Sequence, residues 1–153
     1  MTTATNDAGA ARSATPWHLW VVGLVALLWN GFGGYDYVMT RLQGDAYMRS
    51  AGMTDAQIAH FNAMPAWMGA VWAIGVWGGV LGAVLLLARS KWALHAFVAS
   101  LAAFVVSLIY NYALSDGAAV MGQSVMIMQF VILASCLLFA WYAWTMGKRG
   151  VLR

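Results

Sequence analysis

The side chains in this sequence that could bind or react are few, and most are polar groups set inside long apolar runs. Asn30, Ser107 and Gln129 each interrupt such a run. A polar group in an apolar setting costs free energy unless it finds a partner. Trp29 and Trp72 accompany them, and Tyr35, Asp36, Tyr110, Asn111, Asp116 and Gln123 stand towards one end of the same runs. Aromatic faces combined with amides and hydroxyls suit a neutral or amphipathic small molecule. Trp29, Asn30, Tyr35, Asp36, Trp72, Ser107, Tyr110, Asn111 and Gln129 are therefore the candidate ligand-binding residues. The competing reading is structural. In it, Asn30, Ser107 and Gln129 bond one another and fix helix register, at about 0.6 kcal/mol per bond within a membrane.

Asp36 follows the glycine-rich stretch Asn30-Gly31-Phe32-Gly33-Gly34-Tyr35. It could hold a proton or a cation. Its plainer role is an ion pair with Arg41 or Arg49 at an interface, where a carboxylate need not be desolvated. His18 and His95 could ligate a haem if they met at equal depth, but interfacial placement is the ordinary explanation and the one favoured. His60 is expected to be solvated. Cys136 is the single cysteine. It allows no intramolecular disulfide and no zinc site, and reads as a small buried apolar residue. HExxH, Gly-x-Ser-x-Gly, P-loop and CxxC patterns are all missing, and no acids pair at a spacing suited to proton transfer. Catalysis is the less supported class, and the sequence calls for no cofactor and no metal.

These groups need elements to position them. Of 153 residues, 63% are hydrophobic and 8% are charged, against about 25% charged in an ordinary soluble domain. A soluble fold of this size could not hide so much apolar surface. A helical span needs roughly 20 mainly apolar residues, and four stretches qualify: Trp17–Val38, Ala66–Ala88, Trp92–Leu114 and Gln123–Met146. The expected fold class is an all-α membrane protein, a four-transmembrane-helix bundle with short amphipathic helices in the first outer loop. Residues 1–16 read as a disordered cytoplasmic tail, 17–147 as the membrane domain and 148–153 as a basic cytoplasmic tail. With a rise of about 1.5 Å per residue, Asn30, Ser107 and Gln129 would all lie roughly 10 Å below the outer surface. The polar groups would then gather in the outer half of the bundle.

Every Lys and Arg except Arg41 and Arg49 falls on one side of this arrangement, at Arg12, Arg89, Lys91, Lys148, Arg149 and Arg153. The positive-inside rule places both termini in the cytoplasm. The net charge of +3 is thus explained by topology rather than by nucleic acid. Trp17, Trp20, Trp92, Trp141 and Trp144 form an inner aromatic belt, with Tyr35, Tyr37, Trp67, Tyr110 and Tyr112 as the outer one. In the first outer loop, Thr54-Asp55-Ala56-Gln57 fits a capping box, and Gly52 is expected to stop a short helix over Asp45 to Ala51.

Small residues mark the packing faces. Gly75, Gly78, Gly79 and Gly82 fit the spacing that lets helix backbones approach closely, and packing within the chain is favoured over a second copy. Gly23, Ala26, Asn30, Gly33 or Gly34, and Tyr37 form a similar stripe in the first span. In the third, the stripe is Ala96, Ser100, Ala103, Ser107 and Asn111. These stripes should point inward.

The run Leu28-Trp29-Asn30-Gly31-Phe32-Gly33-Gly34-Tyr35-Asp36-Tyr37-Val38-Met39-Thr40, with Met64-Pro65-Ala66-Trp67 and Trp72-Ala73-Ile74-Gly75-Val76-Trp77-Gly78-Gly79, resembles a family of short bacterial four-span inner-membrane proteins. That family is sometimes labelled "sugar transporter". The resemblance covers nearly the whole chain after the tail. It implies a bacterial inner membrane and a role in transport, and carries no catalytic residues with it. Two expectations of function follow. One is binding, and transport, of a small neutral or amphipathic molecule through an outer-half pocket. The other is a non-catalytic helper or assembly subunit of a larger membrane complex. Membrane lipid, a second copy or a complex, and an unidentified small molecule are the expected partners; nucleic acid is not.

Overall fold

A computed structural model describes residues 14–153; the expected tail lies mostly outside the described residues, as does Arg12. The chain is all-helical over that range. Four long helices run back and forth: α1 (Trp17–Gln43), α4 (Ala66–Leu87), α5 (Trp92–Ile109) and α7 (Gln123–Lys148). Between the first two lie α2 (Asp45–Ser50) and α3 (Asp55–Asn62). A single π-helical turn, Tyr110–Leu114, extends α5, and α6 (Gly117–Val120) follows it.

Among the described residues, three helical segments are long and apolar enough to cross a membrane: Ala66–Leu87, Trp92–Leu114 and Gln123–Lys148, each with a mean hydropathy of 2.1 over an 18-residue stretch. Helix α1 is longer, at 27 residues, but its apolar character is diluted by His18, Asn30, Asp36 and four glycines.

The order of packing is α1 on α4, α4 on α5 and α5 on α7, and small residues set it. A Cβ added to Gly78 would meet the Ala96 carbonyl oxygen and Ser100 Cβ, both at 3.3 Å, and one added to Gly82 would fall 2.7 Å from the Phe97 ring. Helices α4 and α5 can touch this closely only because those positions lack side chains. On the other side of α4, Gly79 leaves room for the Asn30 amide. The glycine face of α4 is therefore occupied within the chain. Gly23, Ala26 and Gly34 of α1 are buried, as are Ser100, Ala103 and Asn111 in α5 and its π turn, so these stripes point inward. Leu28, Phe32, Ile74, Leu81, Val98, Leu137 and Leu138 point out and are exposed. The core at one end joins Leu19, Leu86, Phe97 and Met146 with Val151 and Leu152.

Three helix ends close with the same turn, in which one residue adopts a left-handed backbone and the next N–H reaches back across the last turn. Gly52 (φ 87°) ends α2 and Gly150 (φ 68°) ends α7. At the end of α4 the same place is taken by Arg89, at φ 61°. There Arg89 N–H donates to Leu86 O at 3.0 Å and Ser90 N–H to Leu85 O at 2.8 Å. After Gly150 the chain turns inward: Val151 and Leu152 are buried. Arg153 N–H donates to Arg89 O at 2.7 Å and Lys91 N–H to Arg153 O at 2.9 Å. The basic end at 148–153 is thus built into the fold.

Candidate functional site

The end of the bundle opposite this turn carries most of the polar side chains. Helix α3 is set by a capping box: Gln57 N–H donates to Thr54 Oγ1 at 3.3 Å and Thr54 N–H to Gln57 Oε1 at 3.0 Å. One face of α3 then rests on the bundle. Ile58 is buried, Phe61 meets Trp72 edge-on at 5.5 Å between ring centroids, and Trp72 packs on Tyr37 at 4.6 Å. Arg41 lies over the Tyr37 ring at 5.4 Å. His60, on the same helix, lies 3.2 Å from Asn111 Oδ1. The expectation of a solvated His60 is therefore corrected: its ring is half-buried against the π turn.

That π turn is locally determined. Asn111 Nδ2 donates to Ser107 O at 2.8 Å, and Ser115 Oγ donates to Tyr110 O at 2.9 Å. Gly117 presses on the Asn111 carbonyl so closely that no side chain would fit there. One wider turn leaves carbonyls off the regular α ladder, and such turns often coincide with functional sites. Because the Asn111 amide nitrogen is committed to Ser107, its Oδ1 must accept, so His60 Nε2 carries the proton in this contact.

Asp36 accepts from Tyr47 Oη at 3.0 Å, and Tyr35 packs edge-on to Tyr47 at 6.4 Å. Burial, and then the neighbouring Asp36 carboxylate that accepts its hydrogen bond, push the Tyr47 hydroxyl above its usual range. The expected ion pair of Asp36 with Arg41 or Arg49 is not formed. Arg41 is spent on the Tyr37 face, and Arg49 pairs with Asp55 at 3.3 Å.

The nine candidate residues are distributed over several contacts. Trp29 Nε1 donates to Ser135 Oγ of α7 at 3.1 Å. Asn30 Nδ2 donates to Ala26 O, one turn back, at 2.8 Å. Trp72 lies beneath Phe61, and Tyr110 packs edge-on to Trp67 at 5.5 Å. Ser107 and Asn111 share one bond through the Ser107 carbonyl. Gln129 Oε1 accepts from Tyr112 Oη, and Gln129 Nε2 lies 3.9 Å from Met121 Sδ. The alternative in which Asn30, Ser107 and Gln129 bond one another is thereby corrected. Asn30 is served by its own helix and Gln129 by Tyr112.

Two hollows flank α7. One, of about 340 Å³, is lined by Leu108, Tyr112, Met126, Gln129, Phe130 and Leu133. Its walls are apolar except for the Tyr112–Gln129 pair. The other, of about 310 Å³ between α1 and α7, is lined by Val21, Val22, Val25, Ser135, Leu138, Phe139 and Tyr142. His18 and His95 occupy different surroundings: His18 Nδ1 lies 2.5 Å from Tyr142 Oη, whereas His95 is exposed beside Trp92, with ring centroids 5.0 Å apart. No group of three or more His, Cys, Asp or Glu among the described residues is placed to hold a metal ion.

Sequence reasoning missed His60, Tyr47, Tyr112 and Ser135 as partners of the candidate residues. His60 had a legible signal, since it follows a capping box at the spacing that puts it beside Phe61. The others depend on helix rotation. Comparison with protein-family models, with curated proteins and with solved structures gives no match.

Proposed function

We propose that the chain is a four-span integral protein of a bacterial inner membrane, with α1 as the fourth span and both termini cytoplasmic. In this reading it binds a small neutral or amphipathic molecule in the outer half of the bundle. The observation that carries this is the 340 Å³ hollow between the end of α5 and α7. Its volume falls in the range of small-molecule sites, which are typically apolar with a few convergent polar groups. Tyr112 and Gln129 supply a hydroxyl and an amide at the wall, and the π turn beside it fixes the Tyr112 backbone. Neither polar group carries a formal charge, so the fitting ligand is neutral. Transport of that ligand calls for a second copy, since four helices do not enclose a pathway with two gates.

A photoreactive diazirine analogue of an alkyl glucoside, a neutral amphiphile, tests this in nanodiscs. Labelling should concentrate between 108 and 133, and Gln129→Leu should reduce it severalfold. Labelling spread evenly over the exposed faces of α1 and α4 would sink the reading.

A second reading, a helper subunit of a membrane complex, is favoured by α7. None of its most apolar window is buried within the chain, so the helix offers a face to another protein. Extraction in mild detergent decides: a co-purifying partner in fixed ratio supports it, and a monodisperse species of this chain alone counts against it.

A further inference from the structure

The bundle end opposite the candidate site gathers cations with no acidic side chain among the described residues there. Backbone bonds tie Arg153 to both Arg89 and Lys91, and Lys148 and Arg149 stand one turn away at the end of α7. Every described acid, Asp36, Asp45, Asp55 and Asp116, belongs to the other end. Topology alone explains why bases stand on one side of a membrane. It does not explain Arg89. At the two equivalent turns the chain uses Gly52 and Gly150, the residue that a left-handed backbone favours. At the third it places an arginine in that strained conformation. The Arg89 Nε is moreover buried with no hydrogen-bond partner, and a buried donor normally has one.

We propose that Arg89, with Lys91 and Arg153 beside it, forms a binding site for the phosphate group of an anionic phospholipid. A guanidinium offers a planar fork of donors that matches phosphate oxygens. The membrane, rather than the aqueous phase, is the source because the site lies at the ends of α4, α5 and α7, all apolar enough to cross a bilayer. Trp92, at the start of α5, and Trp141 and Trp144, in the last turns of α7, are exposed towards this end, as amphipathic rings that meet headgroups would be. Lys148 Nζ sits 3.9 Å over the Trp144 ring, which turns its charge along the same rim. The site is independent of the hollow beside Gln129.

The test uses the full chain in nanodiscs of equal phosphatidylglycerol and phosphatidylcholine, with retained lipids counted by native mass spectrometry. The wild type should retain phosphatidylglycerol in preference. Arg89→Gly keeps the left-handed turn and removes the guanidinium, so it should fold and lower that preference about fivefold, the weight of one basic residue near a membrane surface. Arg49→Ala makes the same charge change at the other end and should leave the preference unchanged. An unchanged preference in Arg89→Gly, or an equal loss in Arg49→Ala, would overturn the proposal. So would equal thermal stabilisation of the protein by millimolar inorganic phosphate in phosphatidylcholine alone, which would mark a free-anion site.

Discussion

His60 Nε2 reaches Asn111 Oδ1 at 3.2 Å, joining the eight-residue helix α3 to the π turn that ends α5. The two residues are far apart in sequence, and the bond fixes α3 across the end of the bundle together with the Phe61–Trp72 contact. His60→Ala should remove about 1 kcal/mol, the net value of one such bond. The effect should be local. Amide hydrogen exchange should quicken over 55–62 and 110–117 and stay unchanged over 17–30. His60→Gln, whose amide can still donate, should recover part of the protection. Uniform quickening along the chain would contradict the assignment of α3 as a local cap.

Gly79 and Asn30 form the tightest place in the α1–α4 contact. A Cβ on Gly79 would fall 2.8 Å from Asn30 Cγ and closer still to its amide oxygen. Asn30 cannot retreat without breaking its bond to Ala26 O. Gly79→Ala should therefore destabilise by about 1–3 kcal/mol, the usual cost of overpacking, and lower the midpoint of thermal unfolding in detergent. Gly31→Ala makes a useful contrast, since nothing lies within 4 Å of its added Cβ. It should unfold at or slightly above the wild-type midpoint, because alanine favours a helix more than glycine does.

The long helices were legible because each is a mainly apolar run of spanning length, broken only by isolated polar residues. Helix α4 begins at Ala66, α5 at Trp92 and α7 at Gln123, the residues at which those runs begin. Helix α1 continues past Val38 to Gln43, because Arg41 lays its side chain over Tyr37 one turn back rather than ending the helix at an interface. The inward faces were also legible, since small residues at helical spacing have little else to do. The polar pairings were not. Which neighbour Asn30 or Gln129 finds depends on helix rotation to within a fraction of a turn, and small-residue spacing does not resolve that. Tyr47 and His60 come from the loop between α1 and α4, whose placement follows from tertiary contacts rather than from periodicity.

Tyr47 gives a pH test. Burial and the Asp36 carboxylate raise its hydroxyl above the ordinary value of 10.0. In the folded state the proton is therefore held to higher pH than in the unfolded state. The resulting stability is fully present below about pH 10 and is lost as pH rises through the higher folded-state value. Tyr47→Phe removes this dependence along with the bond to Asp36. In an alkaline titration of tyrosinate absorbance, the difference between wild type and Tyr47→Phe should be one tyrosine that ionises late. A difference that titrates at the ordinary value would show that Asp36 does not hold the hydroxyl.

Arg89 separates stability from function in a single substitution. A non-glycine residue at φ 61° costs about 1–2 kcal/mol through contact between its Cβ and the following carbonyl. Arg89→Gly relieves that strain, and the bonds from Arg89 N–H to Leu86 O and from Ser90 N–H to Leu85 O are made by the backbone, so they survive the change. Glycine loses more freedom on folding, which offsets part of the gain. The variant should therefore be more stable than wild type by up to about 1 kcal/mol. Chemical unfolding in detergent without anionic lipid measures this directly. Adding phosphatidylglycerol should then raise the wild-type midpoint more than that of the variant, narrowing or reversing the gap, because a ligand stabilises the state it binds. If the variant is the less stable in the absence of lipid, the Arg89 side chain holds the turn through packing, and its strain is offset within the fold itself.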